Sequence, residues 1–273
     1  MNDGYRSQFH DANTKRRLLR SENLPILEKL LSESMQRYQR LENVKNDQQL
    51  TREIKENELD RLAHKAYAEV DAFLGFKPSG KPKILFDPRW GFRYNITSKD
   101  IIVATLQIPR LIPVIAHEYT HYIQHSKLLD PCYYDIFSEG HARGVERQIA
   151  EDHSRKEGNE LFLYDILKKT VRELQDAYKW MCERLGKTPK SSLSELHSRD
   201  IEYEVFNRAA IFCIAPQFIG EPSKHALGNA FFSIYEALYG KGIYGQMIHG
   251  EFKFTKWYQF SSWLNVCNRM RAT

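Results

Sequence analysis

The sequence predicts an α+β fold that is mainly helical, with a small antiparallel sheet between an N-terminal helical hairpin and a helical C-terminal part. Apolar residues recur every three or four positions over most of the chain, which is the spacing of amphipathic helices. Between residues 84 and 104 this spacing gives way to short β-branched and aromatic runs, which are typical of strands. The 273 residues, 42% of them hydrophobic, suffice for a compact domain that buries roughly 70–75% of the unfolded chain's surface.

The N-terminal segment is expected to form two helices that pair as an antiparallel hairpin. Leu24 to Leu41 carries one apolar stripe, and a second stripe follows after a break near Asn43 to Asp47. The stripes are Leu27, Leu31, Met35 and Tyr38, then Leu50, Ile54, Leu62, Ala66, Val70 and Phe73. The change of pattern at Gly75 predicts a boundary, with a tail and hairpin over residues 1–75 and a second domain over residues 76–273.

The sheet is predicted from three short runs that follow this boundary. They are Ile84 to Phe86, Phe92 to Ile96 and Ile101 to Ala104. Thr97 to Asp100 is expected to form the turn between the last two runs. Pro109 and Pro113 are expected at or before the first turn of the next helix, because proline lacks the N–H that a helix interior uses.

The remainder of the chain again has helical spacing. The predicted helices are Phe137 to Lys156, Leu161 to Leu185, Asp200 to Ile214, Lys224 to Tyr239 and Trp257 to Met270. Gly240 to Phe254 is rich in glycine and aromatic residues, which predicts a turn region or a short hairpin.

Composition and charge exclude several classes of protein. No run of about 18 apolar residues is present, so no membrane-spanning helix is expected. The start of the chain lacks the apolar stretch of a secretory signal, and the four cysteines lie far apart, so we expect a cytoplasmic protein with reduced thiols. The net charge is only +5. The densest basic run of the chain, Lys15 to Arg20, is interpreted as a solvated tail. Nucleic acid is therefore not an expected partner.

The chemistry is concentrated in one apolar segment that contains the pattern H-E-x-x-H. The pattern consists of His117, Glu118 and His121. On a helix, residues four apart project from one face about 6 Å from each other, so both imidazoles can reach one metal ion. Glu118 is rotated by about 100° and flanks the same position. Zinc is the expected ion, because two neutral imidazoles and a carboxylate form a tetrahedral site with one open position.

A third protein ligand is needed, and the residues downstream offer His125, His141 and Glu139. His125 would lie about 12 Å from His117 along a straight helix, which is too far to bind the same ion. Glu139 is the favoured ligand, and His141 stays a rival. The small residues that follow Glu139, namely Gly140, Ala142 and Gly144, permit close approach to a neighbouring helix.

These residues carry a resemblance to the gluzincin metallopeptidases, particularly the peptidase MA-like families. The H-E-x-x-H pattern with Thr120 is followed by Glu-Gly-x-Ala at residues 139–142 and by Glu146. Residues 226–232 and the pair Tyr239-Gly240 are similar to a late helix and a Tyr-Gly turn in such proteins. The resemblance covers roughly residues 82 to 250. It departs from thermolysin-like members at Arg143, where those have an aspartate.

The resemblance implies a zincin-like fold and a zinc metallopeptidase that acts on peptide or protein substrates. It implies His117, His121 and Glu139 as zinc ligands, and Glu118 as the base that activates zinc-bound water for attack on an amide carbonyl. It also implies that the strand near Ile101 to Thr105 is the sheet edge along which an extended peptide binds, through backbone hydrogen bonds. Because Arg143 replaces the usual aspartate, we expect Glu146 to orient a ligand histidine instead.

Two other functions and one catalytic role stay open at this stage. The chain could be a catalytically silent binding or regulatory module with the same fold, since fold does not guarantee turnover. It could also be a metalloprotease recruited to nucleic acid, as its pI near 8.9 would allow. The group that would stabilise the oxyanion is one of Tyr133, Tyr134, His225, Tyr235 and Tyr244. The sequence does not predict the oligomeric state.

Overall fold

The computed structural model describes residues 12, 14–45, 54–127, 136–190, 193 and 222–249. Among these described residues we number the α-helices α1 Asn23–Lys45, α2 Leu59–Leu74, α3 Ile108–Ser126, α4 Ile136–Glu157, α5 Leu161–Arg184, α6 Lys224–Tyr239 and α7 Ile243–His249. The strands are β1 Ile84–Phe86, β2 Arg93–Asn95 and β3 Asp100–Val103. The fold is α+β and mainly helical, as the sequence predicts.

Helix α3 lies at the centre of the described residues. It packs on α2, α4, α5 and the sheet, and every residue from Leu111 to His121 is buried. Pro109 lies in the first turn, as expected, but Pro113 lies inside the helix, where the prediction was wrong. The buried, apolar surroundings hold this segment helical despite the missing N–H, since tertiary packing overrides local propensity.

The sheet is mixed, and the prediction of an antiparallel sheet was wrong. β3 is the central strand, with β2 antiparallel on one side and β1 parallel on the other. The β2–β3 hairpin has its turn where predicted, because the Asn95 side chain accepts a hydrogen bond of 3.0 Å from the Thr97 N–H. The segment between β1 and β2 therefore crosses the position of β3, because β1 and β2 lie on opposite sides of that strand. The residue pattern of short strands does not indicate this order.

The first N-terminal helix forms where predicted, whereas the second begins only at Leu59, so Ile54 of its predicted stripe lies before the helix. The two helices do not pair as a hairpin. The apolar stripe of α1 is buried mainly on α5 and partly on α6, whereas α2 packs mainly on α3. For example, the rings of Tyr38 in α1 and Tyr164 in α5 lie 5.5 Å apart. An amphipathic stripe shows that a helix has a buried face but does not identify the partner. The domain boundary at residue 75 stays a prediction.

The C-terminal predictions have mixed outcomes. α4, α5 and α6 lie within one or two residues of their predicted positions. Instead of the expected turn region or hairpin, residues 243–249 form helix α7, whose buried residues pack on the core. The predicted helices Asp200 to Ile214 and Trp257 to Met270 lie outside the described residues. Among the helices that are described, none has the length and apolar character needed to cross a membrane.

Candidate metal centre

His117, His121 and Glu139 form one buried cluster whose ligand atoms lie within 4.8 Å of one another. The Nε2 atoms of the two histidines are 3.2 Å apart, and each lies 3.5 Å from Glu139 Oε2. All three side chains are almost completely buried. Two imidazole nitrogens and one carboxylate oxygen that converge in this way form a group that can hold a metal ion.

Two helices supply the cluster. In α3 the spacing of four residues places His117 and His121 on one face, and Glu139 enters from the first turn of α4. The residue after Glu139 permits a close contact between two helices. A Cβ atom on Gly140 would lie 2.3 Å from the backbone oxygen of Gly228 in α6, so α4 and α6 approach more closely than any other residue would allow.

Glu118 lies beside the cluster without belonging to it. Its Oε2 accepts a hydrogen bond of 2.6 Å from the backbone N–H of Tyr94 in β2, which fixes the carboxylate against the sheet. Glu118 also lines a cavity of about 150 Å³. The other lining residues are Phe92, Arg93, Tyr94, His117, His121, Glu139 and His225. The predicted base and the three predicted ligands therefore meet at one cavity.

His225, at the start of α6, also contacts the cluster. Its Nε2 lies 2.9 Å from Glu139 Oε2, and its ring is nearly parallel to that of His117, with 6.1 Å between the centroids. The side chain is 40% exposed, in contrast to the buried ligands. The sequence analysis named His225 only as one of five oxyanion candidates, because no spacing relates residue 225 to the H-E-x-x-H pattern.

A buried carboxylate contacts the His117 ring on the side opposite the other two ligands. Glu146 Oε2 lies 3.3 Å from His117 Nδ1, which is the ring nitrogen on the side away from His121. The guanidinium of Arg143 contacts the same oxygen at 2.5 Å. Although burial alone would raise the pKa of Glu146, the charges of Arg143 and Lys169 hold it well below its usual range. Glu146 is thus placed as expected, and Arg143 keeps it ionised.

The electrostatics of the cluster fit a cation. Burial alone would lower the pKa of His117, but Glu139 and Glu146 raise it to about 9. Burial would raise the pKa of Glu139, but the imidazoles of His121, His117 and His225 lower it well below its usual range. Glu139 Oε2 is buried and faces the Nε2 atoms of His117, His121 and His225 at 2.9 to 3.5 Å. A metal ion at this position would bind this oxygen and supply the positive charge that the carboxylates favour.

The other candidate ligands and oxyanion residues lie outside the cluster or outside the described residues. His141 is fully buried outside the cluster, where burial lowers its pKa to about 4, and His125 Nδ1 lies 3.0 Å from Tyr94 Oη. Tyr235 and Tyr244 are packed in the core, and Tyr133 and Tyr134 lie outside the described residues.

One prediction about the sheet was wrong. The strand near Ile101 to Thr105 is not an edge, because β3 pairs with β1 and β2 on its two sides. Among the described strands β2 is the edge strand beside the cavity, and the sequence analysis missed this position because strand order depends on contacts distant in sequence.

No protein-family model, curated protein or solved structure matches this chain. The class of the site therefore rests on its own geometry, which is that of a buried His-His-Glu group with a second carboxylate beside it.

Proposed function

We propose that this chain is a zinc-dependent peptidase that hydrolyses peptide bonds in peptides or proteins. The observation that carries the proposal is the position of Glu118, which lines the same cavity as the three ligands and is held by the Tyr94 N–H. A metal site that only stabilised the fold would not need a second carboxylate at an accessible cavity.

The donor set favours zinc as the ion. His117, His121 and Glu139 provide two nitrogens and one oxygen, which is a ligand set typical of catalytic zinc. When bound, zinc polarises a substrate carbonyl and lowers the pKa of a water ligand to about 7.

The side chains around the cluster have separate roles in this proposal. Glu118 takes a proton from the attacking water and passes it to the leaving amine. His225 donates a hydrogen bond to the oxygen that becomes negatively charged, because it lines the cavity and the other two described oxyanion candidates, Tyr235 and Tyr244, do not. The substrate lies along β2, whose outer edge has no partner strand among the described residues and whose residues line the cavity.

Replacement of the base tests the proposal. Glu118→Gln keeps the size of the side chain but removes its ability to accept a proton, so we expect hydrolysis to fall by at least about a hundredfold while zinc stays bound. The assay is cleavage of a mixed peptide library, with zinc content measured on the same samples. His117→Ala is the matched variant, in which zinc and activity should be lost together. A wild-type protein that cleaves no peptide or protein, or a Glu118→Gln variant with full activity, contradicts the proposal.

A second candidate is a catalytically silent metal-binding module. The distance of 2.9 Å between His225 and Glu139 favours it, because a fourth protein ligand would close the open position. His225→Ala separates the two functions. The peptidase should keep its zinc and lose activity, whereas a closed four-ligand site should lose zinc affinity.

A further inference from the structure

A chain of buried hydrogen bonds begins at the ring nitrogen of His121 that faces away from the cluster. His121 Nδ1 is 2.9 Å from Gln124 Oε1, and Gln124 Nε2 is 3.1 Å from the backbone oxygen of Ser138. The same Nε2 is 3.0 Å from His141 Nδ1. His141 Nε2 in turn is 3.0 Å from the backbone oxygen of Tyr244. We call these four contacts the Gln124 relay.

The backbone oxygens of Ser138 and Tyr244 determine which atom carries each proton in the Gln124 relay. A carbonyl oxygen only accepts, so the group of Gln124 that faces Ser138 must be the amide NH₂, and Oε1 must face His121. Oε1 also only accepts, so His121 carries its proton on Nδ1. The second amide proton of Gln124 needs an acceptor, so His141 Nδ1 is unprotonated and its Nε2 donates to Tyr244.

We infer that Gln124 and His141 are positioning residues that hold His121 in the one tautomer able to bind the metal. With the proton fixed on Nδ1, the lone pair of His121 lies on Nε2, the atom that is 3.2 Å from His117 Nε2. The relay also joins α3, which carries His121, to α4 and α7 through the Ser138 and Tyr244 carbonyls. The ring is therefore fixed both in its orientation and in its protonation.

Gln124 and His141 are suited to this role because they are isolated from water. They are 4% and 0% exposed, so solvent does not compete for their hydrogen bonds. His141 is further held between aromatic rings, with the ring centroids of Phe232 and Tyr244 at 5.7 and 5.8 Å. The inference rests on metal binding at the proposed site and does not require peptide hydrolysis.

Gln124→Leu tests the relay by removing the acceptor for His121. We expect the zinc dissociation constant, measured by competition with a chelator, to rise roughly 10–100-fold. Gln175→Leu is the matched control, since Gln175 is also buried and donates to a backbone oxygen, that of Leu193 at 3.0 Å. It should lower the melting temperature but leave the zinc dissociation constant unchanged.

Gln124→Glu separates positioning from fold stability. A carboxylate keeps the acceptor for His121 but faces the Ser138 oxygen without a proton to donate, so the melting temperature should fall. Zinc affinity should stay within a few-fold of wild type. If the relay only stabilised the fold, zinc affinity would follow the melting temperature in all three variants. That result would overturn the inference.

The tautomer of His121 provides a direct readout. In ¹⁵N spectra of the zinc-loaded wild type, His121 should carry its proton on Nδ1, with zinc on Nε2, and Gln124→Leu should lose the protected Nδ1 proton. Zinc on Nδ1 of wild-type His121 would overturn the inference. Zinc binding without hydrolysis would remove the peptidase proposal and leave the relay intact, whereas a wild type that binds no zinc would overturn both.

Discussion

At the scale of single residues, two buried carboxylates of α4 contact different sides of the histidines in the metal centre. Glu139 faces the imidazoles of His117, His121 and His225, whereas Glu146 faces the back of His117 and is kept ionised by Arg143. Of these two carboxylates, Glu139 is the one that offers an oxygen to the metal position. The proposed third ligand, Glu139, is therefore the residue whose charge should matter most for metal affinity, although it comes from a different helix than the two histidines.

Glu139→Gln should weaken zinc binding while the fold is kept. The amide has the same shape but no charge, so we expect the affinity to fall by more than the roughly 10–100-fold that loss of a supporting contact costs. The dissociation constant can be measured by chelator competition. Glu173→Gln is a suitable control, because Glu173 is also buried but its oxygens contact Arg143 and Asn229. If Glu139→Gln binds zinc like wild type, the third ligand is wrong.

At the scale of elements, local patterns were predicted and distant contacts were not. The position of α4 follows from apolar spacing, and the pairing of His117 with His121 follows from the geometry of one helical turn. The place of β2 at the sheet edge, beside Glu118, depends on strand order. The approach of His225 likewise depends on how α4 packs on α6. Neither the strand order nor this helix packing leaves a periodic signal in the sequence.

Gly228→Ala should force α4 and α6 apart. A Cβ atom at this position would lie 2.2 Å from the backbone oxygen of Ile136 and 2.6 Å from the Gly140 nitrogen, and backbone atoms cannot rotate away. We expect a loss of about 1–3 kcal/mol or more in the free energy of unfolding, measured by urea denaturation. Zinc affinity should fall as well, because Glu139 lies next to this contact.

Gly242→Ala is the control for this prediction. A Cβ atom there would meet nothing within 4 Å, so its effect should stay within about 0.5 kcal/mol. If Gly228→Ala is as stable as Gly242→Ala, the close approach of α4 and α6 does not exist in solution.

At the scale of the whole molecule, the centre joins parts of the chain that are distant in sequence. Its residues come from β2, α3, α4 and α6, and the buried apolar residues of these elements belong to one core that also includes α1 and α5. An ion held at this junction binds the native state and not the unfolded chain, in which residues 117, 139 and 225 are far apart. Metal binding should therefore stabilise the whole fold by mass action.

Zinc at about a hundred times its dissociation constant should add about 2.7 kcal/mol to the free energy of unfolding. For a chain of this length that corresponds to a rise of roughly 5 °C in melting temperature, which differential scanning calorimetry can measure and a chelator should reverse. The His121→Ala variant is the control, because it keeps the helix but loses one ligand, so zinc should not change its melting temperature. A rise of equal size in this variant, or none in the wild type, would mean that the ion binds elsewhere or that the buried cluster does not hold zinc.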